Sequence, residues 1–235
     1  MRLNKFLAEC GVCSRRKADE IIAEGRVTVN RKTVSEMGFD VDEKKDVVYL
    51  DGKKIVPVTH YEYIMFNKPK GCVTTMSDDK GRKTVYDFIG REKRLVPVGR
   101  LDYDSEGLLL FTNDGDLTRQ LTHPSFQKKK IYQVSLDKPL TKADMEQIAQ
   151  GITLEDGEIY ADEIAYVKED KTEVGIEIHS GRNRIVRRIF EFLGYTVTKL
   201  DRVYYAGLTK KNLKRGAWRF LTREEVERLK SGQYE

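Results

Sequence analysis

Two kinds of apolar spacing divide the chain. Over the first 60 residues, Leu3, Phe6, Leu7 and Cys10 recur at helical intervals, and Gly11 follows as a stop. Ser14 stands where a second helix needs its cap. Ala18, Ile21 and Ile22 give that helix an apolar face, and Gly25 ends it. Val27 with Val29, and later the run 47–50, predict short strands joined by polar turns such as Asp51-Gly52. Residues 57–60 predict a linker.

From Tyr61 the apolar runs lengthen. Residues 63–66 predict a strand that enters the turn Asn67-Lys68-Pro69-Lys70-Gly71, and 108–112 a continuous apolar strand closed by Asn113-Asp114-Gly115. Residues 131–136 and 174–179 alternate as sheet strands do. Helices are predicted over 141–150 and 182–193, the second with Ile185, Val186, Ile189, Phe190 and Leu193 on one face. Thr222 with Glu225 makes a capping box for a last helix. Helices interspersed among strands without regular alternation predict an α+β fold. Its parts are a small N-terminal α/β domain over residues 1–60 and a mixed, mainly antiparallel sheet with flanking helices over 61–235.

Composition narrows the classes. With 39% hydrophobic and 34% charged residues and no long apolar run, membrane-spanning, collagenous and disordered chains are excluded. The start, Met1-Arg2-Leu3-Asn4-Lys5, lacks the apolar core of a secretory signal, and three cysteines argue against a disulfide framework. A cytoplasmic protein is expected. The net charge of +5 hides an asymmetry. Residues 179–219 carry eleven Lys and Arg against two acids, whereas 137–177 carry four Lys against twelve acids. A field polarised in this way suits a polyanionic partner.

Three stretches could carry chemistry. Ser14-Arg15-Arg16-Lys17 puts three cations on the first turn of a helix, against its dipole; free amides and cations together make a phosphate site, although a solvated run is the plainer reading. Cys10-x-x-Cys13 lacks the further ligands that zinc needs, since the only other cysteine is Cys72 and no histidine is near in sequence, so no metal is expected. The loop between Gly99 and Gly107 holds Asp102 and Asp104, which read as metal ligands, as glycosidase-type carboxylates or as turn residues. Asp104 reads as an exposed loop residue without a partner. A catalytic Asp must stay ionised in a dry site, and a buried Arg does this; Arg187 and Arg188 lie near the apolar margin of the 182–193 helix.

The motifs also fall into a known order. Arg2-Leu3-x-Lys5-Phe6-Leu7, Gly11, Ser14-Arg15-Arg16, Ala18, Ile22, Gly25 and Val27-x-Val29-Asn30 resemble the RNA-binding domain named after ribosomal protein S-four, over residues 1–48. Gly99-Arg100-Leu101-Asp102 followed by Ser105-x-Gly107-Leu108-Leu109 resembles the catalytic motif of pseudouridine synthases, with Ser105 where many members have Thr. Asn67-Lys68-Pro69-x-Gly71 is similar to their first motif, and Lys130-x-Tyr132-x-Val134 to the strand that bears their active-site tyrosine. Gly181-Arg182-Asn183-Arg184-x-Val186-Arg187-Arg188 is similar to their third motif, with Ile185 where Gln is more usual. Together these resemble the ribosomal, RsuA-type branch from end to end.

The resemblance implies that Asp102 is the catalytic aspartate, that Tyr132 stacks on the target uracil and that Arg187 pairs with Asp102. It implies RNA contacts from Arg2, Lys5, Ser14, Arg15, Arg16, Lys17 and Asn30, and from Lys68, Arg100, Arg182, Arg184 and Arg188. The expected partner is structured ribosomal RNA with a flipped-out uridine, acted on by a monomer without membrane association. The expected reaction turns that uridine into pseudouridine; nothing is added or lost, so no cofactor is expected. Residues 80–87 and 107–111 look closer to members acting on large-subunit RNA. Small-subunit RNA and a non-catalytic ribosome-assembly role are the alternatives. A glycosidase using Asp102 and Asp104 would leave the N-terminal pattern and the basic segment without purpose.

Overall fold

The helical spacing near the N-terminus closes a small core in a computed structural model that describes residues 1–92, 94–126 and 128–233. The chain divides into two units, Met1–Tyr61 and Glu62–Glu235. In the first, α1 (Leu3–Glu9) and α2 (Arg15–Ala23) bury Leu3, Phe6, Leu7, Ala18, Ile21 and Ile22. They do so together with the valines of a four-stranded antiparallel sheet. Its strands are β1 (Val27–Val29), β2 (Lys32–Val34), β3 (Val48–Leu50) and β4 (Lys53–Ile55), in the order β2-β1-β3-β4. The Ser14 hydroxyl accepts from the Lys17 amide and so caps α2.

Asn30-Arg31 and Asp51-Gly52 both have positive φ, the two-residue geometry that matches the twist of a hairpin. The sequence signals only the second of these turns. β2 and β4 are mostly exposed and so leave no apolar alternation to read. Asn30, expected on RNA, instead spends its amide locally: it donates to Asp46 at 2.8 Å and accepts from the Val47 N–H at 2.9 Å. The linker expected over residues 57–60 is held to the module, because the Val58 amide donates to the Glu9 carbonyl.

The second unit runs β5 (Tyr63–Lys68), α3 (Tyr86–Ile89), β6 (Val96–Val98), β7 (Glu106–Thr112), α4 (Gly115–Thr122), β8 (Lys130–Leu136) and α5 (Lys142–Gln150). It continues with β9 (Ile152–Leu154), β10 (Gly157–Ile159), β11 (Glu163–Tyr166), β12 (Glu173–Ile178) and α6 (Ile185–Phe192). β13 (Val197–Tyr205), β14 (Leu208–Thr209), β15 (Trp218–Phe220) and α7 (Arg223–Ser231) complete it. A nine-stranded sheet follows the order β11-β12-β8-β13-β7-β5-β15, with β14 added to β13 and β6 to β7; β9 and β10 form a separate hairpin. Leu109, Phe111, Ile64 and Phe66 pack on the side of α6, while Leu108, Leu110 and Met65 pack with Leu117 and Leu121 of α4 and Leu229 of α7. Both faces of β5 and β7 are covered, which is why the 108–111 run is apolar without alternation.

One departure from expectation and one feature of the expected mixed sheet bear on the site. Helix α6 begins at Ile185, not Arg182, because Arg184 adopts the left-handed conformation (φ 47°) and cannot propagate a helix. The sheet also contains a parallel pairing, Asp201 with Glu106 and Arg202 with Gly107. The strands approach so closely there that a Cβ on Gly107 (φ 112°) would lie 2.3 Å from the Arg202 carbonyl oxygen. Only glycine fits. Gly107→Ala is expected to lower stability by about 3 kcal/mol or more and Tm by about 6–12 °C. Thermal unfolding followed by circular dichroism measures this, with Gly232→Ala as a control for positive φ in open space.

Candidate active site

The loop from Gly99 to Ser105 is fixed from beneath by one side chain. Lys68, the last residue of β5, has 0% exposure, and its ammonium donates to the carbonyls of Asp102 (2.8 Å), Ser105 (2.8 Å) and Pro69 (3.1 Å). All three protons are spent. Burial draws its pKa below the usual lysine value. Lys68 was expected to touch RNA, but a fully buried ammonium cannot; it shapes the loop instead. Thr74 adds a bond from its hydroxyl to the Leu101 carbonyl, and the Gly71 amide one to the Tyr103 carbonyl.

With its backbone held in this way, Asp102 turns a carboxylate that is 39% exposed into a cavity of about 300 Å³. Ser105, Lys130, Tyr132, Leu200 and Arg202 line the same cavity. Lys130 and Tyr132 stand two apart on β8 and therefore share a face; Arg202 on β13 is the cross-strand neighbour of Tyr132. Tyr132 is 8% exposed, a ring set into the wall and not on the surface. Lys130 donates to the carbonyls of Lys128 and His179, and burial together with the neighbouring Arg202 charge pulls its pKa down to about 8. Arg202 is 4% exposed and donates to the Leu108 carbonyl.

The arginines expected around Asp102 are arranged differently. Arg187 is buried, and its fork donates to the carbonyls of Val197 (3.1 Å) and Asp104 (2.9 Å) and pairs with the Asp104 carboxylate at 3.3 Å. The cation that reaches Asp102 is Arg184, at 3.5 Å, while it also holds both oxygens of Asp104 at 3.1 and 3.2 Å. Its left-handed backbone explains that reach, because it turns the residue away from the α6 axis. Asp104 is thus not a partnerless loop residue. Burial would raise its pKa, but the Arg184 hydrogen bonds and the Arg187 charge hold it below the ordinary value.

Arg182 and Arg188 are tied to the β9–β10 turn: Arg182 donates to the Asp156, Gly157 and Glu158 carbonyls, and Arg188 takes the Asp156 carboxylate in a fork at 2.6 and 2.9 Å. Arg100 lines the cavity, is exposed and takes no carboxylate among the described residues. In the N-terminal unit, Arg2 bonds the Gly38 carbonyl and Asp40, Lys5 pairs with Glu9, and Lys17 with Glu20. Arg15 and Arg16 are exposed, with no carboxylate partner among the described residues.

A half-exposed carboxylate beside a guanidinium, an inset aromatic ring and a cationic wall suit attack on, or proton removal from, the sugar of a nucleotide whose base lies on the ring. Residues 62–192 match the family model for RNA pseudouridylate synthase. The chain belongs to that family. Residues 1–48 match the S4 domain. The ribosomal large subunit pseudouridine synthase B of Bacillus subtilis (strain 168) is 41% identical, over 98% of this chain and 96% of that relative. The dual-specificity RNA pseudouridine synthase RluF of Escherichia coli (strain K12) is 36% identical, over 96% of this chain and 77% of the relative. A crystal structure of a pseudouridylate synthase superposes with a TM-score of 0.70 at 30% identity, covering 97% of this chain and 99% of that one.

Sequence reasoning missed Lys130 as a cavity residue and Arg202 altogether. The i, i+2 spacing of Lys130 and Tyr132 could have revealed the first; the second needs the β8–β13 register, which no local pattern carries.

Two outcomes follow from this geometry. Asp104→Asn should cut turnover about 100-fold while RNA affinity holds, because Arg184 and Arg187 lose the anion that orders the loop; single-turnover rates at saturating enzyme read this. Lys130 binds fewer protons folded than unfolded between pH 8 and its unperturbed value of 10.5, so its burial penalty is present below pH 8 and relieved as pH rises through that window. Wild type should therefore gain up to about 3 kcal/mol relative to Lys130→Met between pH 7.5 and 10.5 in urea unfolding.

Proposed function

We propose that this synthase converts a uridine of large-subunit ribosomal RNA to pseudouridine, with Asp102 as its catalytic carboxylate and Tyr132 as the platform for the uracil. The observation that carries the reading is the meeting of these two side chains in one cavity of about 300 Å³, which suits a base taken out of its stack. The target uridine is therefore flipped out. The likeness to the large-subunit synthase of Bacillus subtilis over nearly the whole of both chains supports the choice of RNA. A non-catalytic role would leave the anchored carboxylate without use.

Asp102 has two routes. Its oxygen can attack C1′ and displace the uracil ring nitrogen, as a retaining glycosidase does, or it can take the 2′-proton and leave a glycal. In either, the freed base turns on Tyr132 and rejoins through a ring carbon. Arg184 meets the Asp102 carboxylate at 3.5 Å; Arg187 is a positioning residue, holding the Asp104 backbone and carboxylate. Arg15, Arg16 and Arg100 meet phosphate, since they are the expected RNA contacts that are exposed and take no internal carboxylate. On this reading it acts in the compartment where ribosomes are assembled.

Asp102→Asn should lower the single-turnover rate about 10³-fold or more with RNA affinity and circular dichroism unchanged; a rate within tenfold of wild type would remove Asp102 from the reaction. Deleting residues 1–60 should weaken RNA binding and flatten log affinity against log salt, through loss of Arg15 and Arg16. An unaltered salt slope would rule out their phosphate role.

A further inference from the structure

Next to the cavity of Asp102 lies a second one of about 470 Å³. The two adjoin: Leu121, Thr122, Lys130, Ser180, Gly181 and Arg182 line both. If the first receives the target nucleoside, the larger one beside it has room for another. Its chemistry differs along its length. At the join stands the Lys130 ammonium, which bonds two carbonyls, has Arg202 as a like-charged neighbour and takes no carboxylate among the described residues. At the far end are the Tyr160 ring, 57% exposed, and His179, whose Nδ1 lies 2.7 Å from the Asp162 carboxylate and so carries the proton. An exposed tyrosine alone means little. This one lines a cavity that shares a wall with the cavity of Asp102.

We propose that the two cavities form one trench for two consecutive nucleotides: the target uridine in the first, its neighbour's base against Tyr160 in the second, and the phosphodiester between them on Lys130. The charges favour this order. Lys130 and Arg182 line the join and no carboxylate does, whereas the far cavity sets Lys128 beside Glu158 and Asp162, whose carboxylates can accept from the N–H groups of a base. The join, with its uncompensated ammonium, is where an anion gains most. A bound phosphodiester would also offset the repulsion between Lys130 and Arg202. Substrate selection by this enzyme thus reads at least one residue beyond the uridine, by stacking and not by a base-specific hydrogen-bond code alone.

This inference rests on the reading of Asp102 and Tyr132 as the uridine site, and its test separates the two. The probe is a heptaribonucleotide with a single central uridine, bound to Asp102→Asn protein and followed by fluorescence anisotropy. An abasic residue beside the uridine, on the 5′ or the 3′ side, should weaken binding about tenfold at one of those positions. Tyr160→Ala should cost the same factor, and the combination no more; Tyr160→Phe should bind as the parent does. A methylphosphonate at the shared linkage should likewise remove any further effect of Lys130→Met, while Lys130→Arg, which keeps the charge, should retain the sensitivity. Multiplicative losses in both cycles at both neighbours, or no binding of the heptamer at all, would overturn the trench. Pseudouridine formation in ribosomal RNA by the wild-type enzyme is read separately. Coupling without product would leave the trench and remove the activity; product without coupling would do the reverse.

Discussion

Three hydrogen bonds from one buried ammonium set the shape on which the site depends. Lys68 has no carboxylate within its hydrogen-bonding shell; three carbonyl oxygens take its protons, and the charges of Asp102, Asp104 and Glu106 act on it from further off. That is a costly way to bury a cation, and it survives because each proton has an acceptor. The acceptors belong to the turn after β5 and to both ends of the short segment from Asp102 to Ser105. Drawing those carbonyls inward points the Asp102 side chain the other way, to the cavity. The Asp102 carboxylate is therefore placed by its own backbone, and its oxygens stay available. A site built by gripping the carboxylate directly would have lowered its nucleophilicity and its basicity together.

The second carboxylate of the loop plays the opposite part. Asp104 is held by a fork from Arg184 and by the charge and backbone bond of Arg187, and it stays ionised as the loop's anchor to α6. Two aspartates two residues apart thus divide the work: one is locked, the other left half-open with a single long contact to Arg184 at 3.5 Å. The division depends on the left-handed turn at Arg184, which lets one guanidinium reach both. It depends also on Gly107, which allows β7 to run parallel and close to β13 so that the loop opens over Tyr132 and Arg202.

Much of this frame was legible in the sequence. The helical faces of Leu3, Phe6 and Leu7 and of Ala18, Ile21 and Ile22, the cap at Ser14 and the box of Thr222 with Glu225 are local patterns, and local patterns survive folding. Motif order placed Asp102 and Tyr132 in one chemistry, and they do share one cavity. What the sequence could not give was pairing. Which arginine meets which aspartate depends on the single left-handed residue at 184, and that an apparent phosphate-binder such as Lys68 is wholly internal depends on the strand it ends. β2 and β4, short and exposed, carry no periodicity to read.

The basic segment from 179 to 219 shows how far such pairing can change a reading of charge. Arg182 and Arg188 go to the Asp156 turn, and Arg184 and Arg187 to Asp104. Lys199 and Arg215 reach Glu106, Lys210 and Arg215 hold Asp201, and Arg219 holds Glu225. Among the described residues only Lys211, Lys214 and the buried Arg202 of that segment take no carboxylate. A run that resembles a polyanion-binding face is thus largely an internal brace, and pairs neutralised at contact distance contribute little field a Debye length away. The proposed phosphate role of Arg15 and Arg16 on α2 fits this, since both are exposed and take no carboxylate among the described residues. The larger unit spends Arg184 and Arg187 on holding a carboxylate loop still. With Asp102 as the proposed catalytic carboxylate, that use has a physical advantage: a phosphate contact binds substrate and transition state alike, whereas a fixed loop favours the geometry in which Asp102 meets the sugar.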